Sequence, residues 1–284
     1  MSGTGLVTIK RRIKSITNTK KITKAMGLVA TSKYKKMKGK LDINNNYIFK
    51  LDETIKQVED NYEDDSIYTK GNSSSKIMYI VVTSDSGLCG GFNLSVINAL
   101  KERLKSNNVD YNVIVVGGKG RNLCKKFNIE TVAEYVEIPD MPSQDEAYTI
   151  INHALSMYTS EDVGEVHIVY KKLISVLKNE VEIEKLLPLN FDTEGNGSKK
   201  YVDIKAIDEK AMFELVSLFS SGKMLNSMLH SKVSENRARM ESMGSATNNA
   251  DDLLEKLNLK YNRLRQSAIT QEISEIVGGA EAQK

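Results

Sequence analysis

Residues 208–277 read DEKAMFELVSLFSSGKMLNSMLHSKVSENRARMESMGSATNNADDLLEKLNLKYNRLRQSAITQEISEIV. At a seven-residue step, Met212, Phe219, Asn226, Val233, Met240, Thr247, Leu254, Tyr261 and Ala268 form one series. Leu215, Gly222, Leu229, Asn236, Met243, Ala250, Leu257 and Leu264 form the other, offset by alternating spacings of three and four. Such spacing gathers both series on one side of a helix as a narrow stripe, the pattern of a coiled-coil seam. No proline interrupts the stretch. Gly222 and Gly244 each cost about 1 kcal/mol relative to alanine, and Gly278-Gly279 is the expected stop. At about 1.5 Å per residue the helix is on the order of 100 Å long, roughly twice the width of a globular domain of this mass, so part of it must project.

A second stripe lies at the other end of the chain. Ile9, Ile13, Ile16, Ile22, Met26, Val29, Met37 and Leu41 recur mostly at steps of 3, 4 or 7 with lysines on the other faces, and no proline occurs before Pro139. This predicts a long helix reaching residue 55 or beyond. Two narrow stripes bury one another best by pairing, so the first and last segments predict an antiparallel two-helix rod with the middle of the chain inserted at one end. The methionines Met26, Met37, Met240 and Met243 read as core residues of that rod.

The middle has a different period. Glu59 to Lys76 is acidic and then Gly-, Asn- and Ser-rich, a polar linker by composition. Ile77 to Val82 and Tyr111 to Val116 read as buried strands, Thr131 to Ile138 as a third, Val166 to Tyr170 as a fourth and Val181 to Leu187 as a fifth. Helical patterns fall between them at Leu94 to Leu104, Arg121 to Phe127 and Ser143 to Tyr158, with Gly117-Gly118-Lys119-Gly120 as a turn. Alternation of this kind predicts a parallel sheet covered by helices on its faces, a Rossmann-like α/β domain. The expected organisation is an N-terminal coiled-coil helix over 1–58, a linker over 59–75, an α/β domain over 76–190, a loop over 191–207 and a C-terminal coiled-coil helix over 208–284.

Charge is unevenly placed. Of 40 basic residues, twelve fall in residues 1–40 with no acid among them, which leaves 28 for the rest of the chain against all 37 acidic residues. A basic arm on an acidic body implies a charged partner, either an acidic protein surface or nucleic acid. An organellar targeting peptide fits less well, because the same stretch carries the apolar stripe and only two of the twelve are arginine. Cys89 and Cys124 lie 35 residues apart in no CxxC arrangement and read as reduced thiols. There is no run of 18 apolar residues and no signal-peptide core, so membrane association is expected only through a partner.

Catalytic patterns are thin. Ser84-Asp85-Ser86-Gly87-Leu88-Cys89-Gly90-Gly91-Phe92-Asn93 follows a strand and precedes a helix, the place where phosphates are cradled, but it lacks GxGxxG spacing. Gly117-Gly118-Lys119-Gly120 lacks the spacing of a P-loop and the Ser or Thr after its lysine. Both read as turns that let chain pack closely. His153, His167 and His230 are scattered without metal-ligand spacing, and Asp85 beside Cys89 has no histidine base near it in sequence. The residues 261–272, followed by Ile273, Ile276 and Val277, mix polar groups with large apolar ones on a helix that has left its partner behind. A surrounding sleeve is the expected cover for Ile269, Ile273, Ile276 and Val277.

Three blocks carry a resemblance: Thr17 to Met26 with Val29 to Lys33, the block Ser84 to Asn93, and Tyr261 to Ala280. In this order and spanning the chain from end to end, they closely resemble the gamma-subunit family of F-type ATP synthases. The resemblance implies a non-catalytic central rotor shaft whose terminal helices turn inside a head of alternating alpha and beta subunits, with the α/β domain near the epsilon subunit and the membrane ring of c subunits. It implies no cofactor and no metal, and a peripheral position on the cytoplasmic face of a bacterial plasma membrane, or on the matrix or stromal side of an organellar inner membrane. Carried over residue by residue, Met26 matches a methionine facing an acidic loop of the beta subunit and Arg239 an arginine on the same shaft, with Lys24 a further expected beta-subunit contact. Arg265, Gln266, Thr270 and Glu272 match a polar group bonding a beta-subunit loop near the tip. Ser86 stands where the family commonly has arginine, Gly27 where glutamate is usual, and Lys205-Ala206-Ile207 replaces an aromatic-acidic pair before the long helix. No paired cysteines precede Leu186-Leu187-Pro188-Leu189, so the thiol switch of the chloroplast form is not expected. The alternative from another class is a basic coiled-coil protein that binds nucleic acid.

Overall fold

A computed structural model of the protein describes residues 2–59, 66–107, 109–175, 178–189 and 209–281. The expected loop over 191–207, residues 60–65 of the expected linker and the Lys205-Ala206-Ile207 departure lie outside them. The elements run α1 (Ser2–Glu59), α2 (Ile67–Lys70), β1 (Ile77–Val82), α3 (Phe92–Asn107), β2 (Tyr111–Val116), α4 (Gly118–Lys126), β3 (Ala133–Tyr135), α5 (Gln144–Thr159), β4 (Glu165–Leu173), β5 (Asn179–Leu187) and α6 (Glu209–Glu281). By internal contacts the chain divides into residues 1–31 with 239–284, and residues 32–238.

In the larger unit a five-stranded sheet has the order β3-β2-β1-β4-β5. β1 is its centre, parallel to β2 with Ile80 opposite Ile114 and parallel to β4 with Ile80 opposite Ile168. All six β1 residues are buried because both faces are covered, which is why the strand reads as an unbroken apolar run. Met78, Ile80 and Val82 face one core with Ile150, Ala154 and Tyr158 of α5, Ile48, Leu51 and Ile55 of α1, and Met212, Val216 and Phe219 of α6. Ile77, Tyr79 and Val81 face the other, with Val96, Ile97 and Leu100 of α3 and Cys124 of α4. The inner portions of the two long helices are therefore one layer of the α/β sandwich itself.

Several expectations are corrected. β5 runs antiparallel to β4, so the sheet is mixed, as an edge strand joined by a hairpin must be. The third strand shrinks from eight residues to Ala133–Tyr135, the stretch that reaches β2. The glycine run is helical from Gly118, leaving only Gly117 as a turn with φ 102°. Within the linker Ile67–Lys70 makes one helical turn capped by Ser66, and it buries Tyr68 beneath Tyr158, whose hydroxyl donates to the Ile67 carbonyl at 2.6 Å. α6 runs through Gly278-Gly279 to Glu281, because neither glycine takes the left-handed backbone that ends a helix.

The pairing of α1 with α6 in this unit is antiparallel. Met37 and Leu41 pack with Leu229 and Val233, and one turn on the Asn226 amide donates to Asn44 and Asn45 at 2.9 and 2.8 Å. Beyond that, Lys223 reaches Asp52 at 3.0 Å and Glu184 at 3.5 Å. Gly222 faces Ile48 and Leu51 so closely that a Cβ there would sit 3.3 Å from both side chains.

Candidate functional site on the terminal helices

In the smaller unit the two helices also run antiparallel. Thr23 Oγ1 meets Thr247 Oγ1 at 2.8 Å, Gly27 lies against Met243, and Lys20 pairs with Asp251, so each step along one helix is matched by a step back along the other. The seam is built from small or slender residues: Thr23, Gly27 and Ala30 opposite Met243, Thr247 and Ala250. A Cβ added at Gly27 would meet Met243 Cβ at 3.6 Å, an ordinary contact distance, so the packing here does not itself demand glycine.

This corrects the predicted stripe of α1. Ile22 and Val29 are 59% and 55% exposed, and Thr23 and Ala30 hold the seam positions expected of them. The physical reason is diameter: small side chains allow closer helix approach, and the larger β-branched residues are displaced to the outer face. Lys24 is exposed and Met26 half-buried, on the two flanks of the seam. Arg239 is buried and has polar contacts within the chain.

Apart from half-buried Ala268, residues 262–280 of α6 are exposed, including Arg265, Gln266, Thr270 and Glu272. Helical geometry gathers them into two adjacent rows. Arg265, Ile269, Glu272 and Ile276 form one, at steps of four, three and four; Gln266, Thr270, Ile273 and Val277 form the next at the same steps. The first row alternates polar and apolar groups and adjoins the half-buried Leu257, Tyr261 and Ala268 side; the second follows two polar residues with two apolar ones and lies opposite that side. The Thr270 hydroxyl donates to the Gln266 carbonyl at 3.0 Å, holding one row together from within. The helix thus brings the four expected residues of this end onto one side, while Lys24, Met26 and Arg239 lie on other stretches of α1 and α6.

The Gly-rich block turns out to be a latch for the sheet. Asp85 accepts from the backbone N–H of Gly118 at 2.9 Å, of Glu137 at 2.9 Å and of Ile138 at 3.1 Å, which ties the β1, β2 and β3 loops together. Asn93 Oδ1 accepts from Ser84 N at 2.9 Å, and its amide reaches Ser84 Oγ and Cys89 Sγ. At the start of α4 the N–H groups of Gly117, Gly118, Lys119 and Gly120 donate to Tyr135 O, Asp85, Ser84 O and Thr83 Oγ1. A phosphate would find those four donors already taken. Only glycine fits here: a Cβ at Gly120 would lie 2.3 Å from Thr83 Oγ1, and one at Gly117 2.6 Å from Thr83 O.

The three histidines are bonded within the larger unit. His153 Nδ1 contacts the Tyr135 hydroxyl at 3.1 Å, and His167 Nε2 contacts Glu165 at 2.7 Å. Burial lowers the His167 pKa against the pull of Glu165. His230 Nδ1 accepts from Leu173 N at 3.2 Å; burial, then the nearby Lys172 charge, push its pKa down to about 4. Sequence reading missed the role of His230 with its neighbours Ser231 and Ser234. The signal was there: small polar residues inside a helix, where their propensity is poor, ask for a hydrogen-bond partner outside it. Among the described residues no group of three or more His, Cys, Asp or Glu could hold a metal ion, and no helix is long and apolar enough to cross a membrane.

A family model described as ATP synthase matches residues 5–283. A protein named ATP synthase gamma chain from Clostridium botulinum strain Langeland is 48% identical over 284 residues, covering all of both chains. The one from Clostridium novyi strain NT is 48% identical over 286 residues, again with full coverage of both. Among solved structures, a chain of the Euglena gracilis mitochondrial ATP synthase (OSCP/F1/c-ring, rotational state 3) matches with a TM-score of 0.73 at 18% identity, covering 99% of this chain and 95% of that one. A chain of the Tetrahymena thermophila mitochondrial ATP synthase central stalk and c-ring matches at 0.60 and 22%, covering 79% and 99%. With a family match from end to end and relatives nearly half identical along the whole length, the chain belongs to the ATP synthase gamma-chain family.

Proposed function

We infer that the chain is the central-stalk rotor subunit of a proton-translocating F-type ATP synthase, making and breaking no bond itself. It carries torque between a membrane ring of c subunits and a catalytic head of alpha and beta subunits, with an epsilon subunit beside it. Ion flow is thereby coupled to ATP synthesis or hydrolysis, and the subunit works at the cytoplasmic face of a bacterial plasma membrane, held there by its partners. One observation supports this reading above all. The last turns of α6 present Ile269, Ile273, Ile276 and Val277, each about half exposed or more, on the same side as Arg265, Gln266, Thr270 and Glu272. A helix with that surface needs an apolar sleeve and a polar collar around it.

Lys24, Met26, Arg239, Arg265, Gln266, Thr270 and Glu272 are the proposed contacts with the beta subunits, and the basic first helix then meets acidic protein rather than nucleic acid. A shaft that turns inside a ring presents a different face to each equivalent subunit, so its asymmetric charge pattern can favour a different state in each. Exposed ionic contacts worth about 0–1 kcal/mol apiece can be exchanged for their neighbours as the shaft turns, where deep interlocking would stall it.

Co-expression with alpha and beta subunits tests the reading: the chain is expected to co-purify at one copy per head. Removing everything after Leu254 is expected to abolish that assembly, and a fully coupled complex containing the truncated chain would overturn the sleeve.

A further inference from the structure

β4 outlasts its neighbour. Its ladder with β1 ends at Val169, while its pairing with β5 continues to Leu173 opposite Asn179. Lys171 and Leu173, two apart on one strand, therefore turn their backbone groups to the edge that β1 leaves open. α6 occupies that edge. Ser231 Oγ accepts from Lys171 N at 3.4 Å, Ser234 Oγ donates to Lys171 O at 3.0 Å, and His230 Nδ1 accepts from Leu173 N at 3.2 Å. Arg237 donates to Ser175 O at 3.3 Å at the turn of the hairpin. Alongside, Leu173 packs against the cluster of Met37, Leu41, Leu229 and Val233.

On the reading of the chain as a rotor, we propose that His230, Ser231 and Ser234 form a torque latch, positioning residues through which the β4–β5 hairpin keeps α6 from turning about its own axis inside the α/β unit. Between the large apolar anchors of α6, such as Phe219 and Met228, Ser217, Ser220, Ser221 and Ser227 are buried but small, so those parts of its surface give shallow ridges that resist turning weakly. Directional bonds to a strand fixed in a sheet resist it well. Advancing the helix by one residue turns it by about 100°, which carries all three side chains off the strand edge together.

The test uses the complete membrane-bound complex carrying the double substitution Ser231→Ala/Ser234→Ala. Proton pumping and ATP hydrolysis are measured together as the opposing gradient is raised. The ratio of pumping to hydrolysis is expected to fall about fivefold at high opposing gradient, roughly the product of about twofold for each of the two lost hydrogen bonds on an equilibrium between held and slipped states. At low opposing gradient it stays near the unsubstituted value, and Ser231→Thr/Ser234→Thr restores the high-gradient ratio. A poorly assembled complex would instead lower both activities at every gradient. An unchanged ratio at all gradients in a normally assembled double variant overturns the latch. Should that variant not assemble, Ser234→Ala alone is expected to lower the high-gradient ratio about twofold, and an unchanged ratio there overturns the latch equally. Failure of the unsubstituted chain to join a head would overturn the rotor reading, whereas full coupling in the alanine variants removes only the latch.

Discussion

Two stretches of α6 reverse the usual relation between polarity and burial. Residues 227–236 are all buried, yet seven of the ten are polar: Ser227, His230, Ser231, Lys232, Ser234, Glu235 and Asn236. At the far end Ile269, Ile273, Ile276 and Val277 are 49%, 56%, 72% and 53% exposed. The first stretch can bury polar groups because a strand edge, its own backbone and the Lys232–Glu235 contact at 3.9 Å satisfy them. On the proposed rotor reading, the second leaves apolar groups exposed because the neighbours that would cover them belong to another chain. The inner stretch therefore answers to the stability of this protein, and on that reading the outer one to assembly.

The largest expected effect on the fold comes from Val233→Asp. Val233 is fully buried among Met37, Leu41 and Leu229, and a carboxylate there has no partner. Thermal melting should show a loss of about 4 kcal/mol or more, and a near-normal melt would break the comparison at its inner end.

Next comes acid sensitivity at His230. Its folded pKa of about 4 lies below the ordinary 6.5, because burial and Lys172 oppose the charge. The unfolded chain takes up this proton first as pH falls. The contribution is thus complete above about pH 6.5 and drains away towards pH 4, a loss on the order of 3 kcal/mol. Denaturant titrations across that window measure it, and His230→Leu should flatten the dependence while costing the Leu173 N–H its acceptor.

Asp85→Asn should cost about 2 kcal/mol, since one oxygen that accepts an N–H becomes an amide facing it. Calorimetry of the purified chain would show this, and no loss would mean that the three sheet loops hold together without Asp85. The smallest effect sharpens the outer end: Ile273→Ser with Ile276→Ser should leave the isolated chain within about 0.5 kcal/mol of its original stability while weakening co-purification with a head. A large drop in melting temperature would show that these residues serve the chain's own fold.

Much of the architecture was legible before any coordinates. The 3-and-4 spacing at Met37, Leu41, Leu229 and Val233 marks a seam that the two helices do form, and the apolar run Ile77 to Val82 marks a strand covered on both faces. Misreadings came where two structures share one local pattern. Val181 to Leu187 looks the same in a parallel or an antiparallel strand, because direction is set by the connection and not by the residues. Ile22 and Val29 follow the helical period as well as Thr23 and Ala30 do, and periodicity alone favours the more apolar pair. The expected contacts Arg265, Gln266, Thr270 and Glu272 came from the family resemblance, and helical periodicity places them on one side of α6. The polar trio His230, Ser231 and Ser234 was legible only as a demand for partners outside the helix and not as to which ones, since those are backbone groups some sixty residues away in sequence.

By itself, then, the sequence determined that two long helices would pair around an inserted α/β domain, because periodicity and composition are local properties written along the chain. Only the tertiary structure decided which residues of each helix meet, that β5 closes the sheet antiparallel, that Asp85 ties three loops, and that the hairpin grips α6. Those outcomes depend on distance, diameter and the availability of an unpaired backbone edge, and none of these exists until the chain has folded.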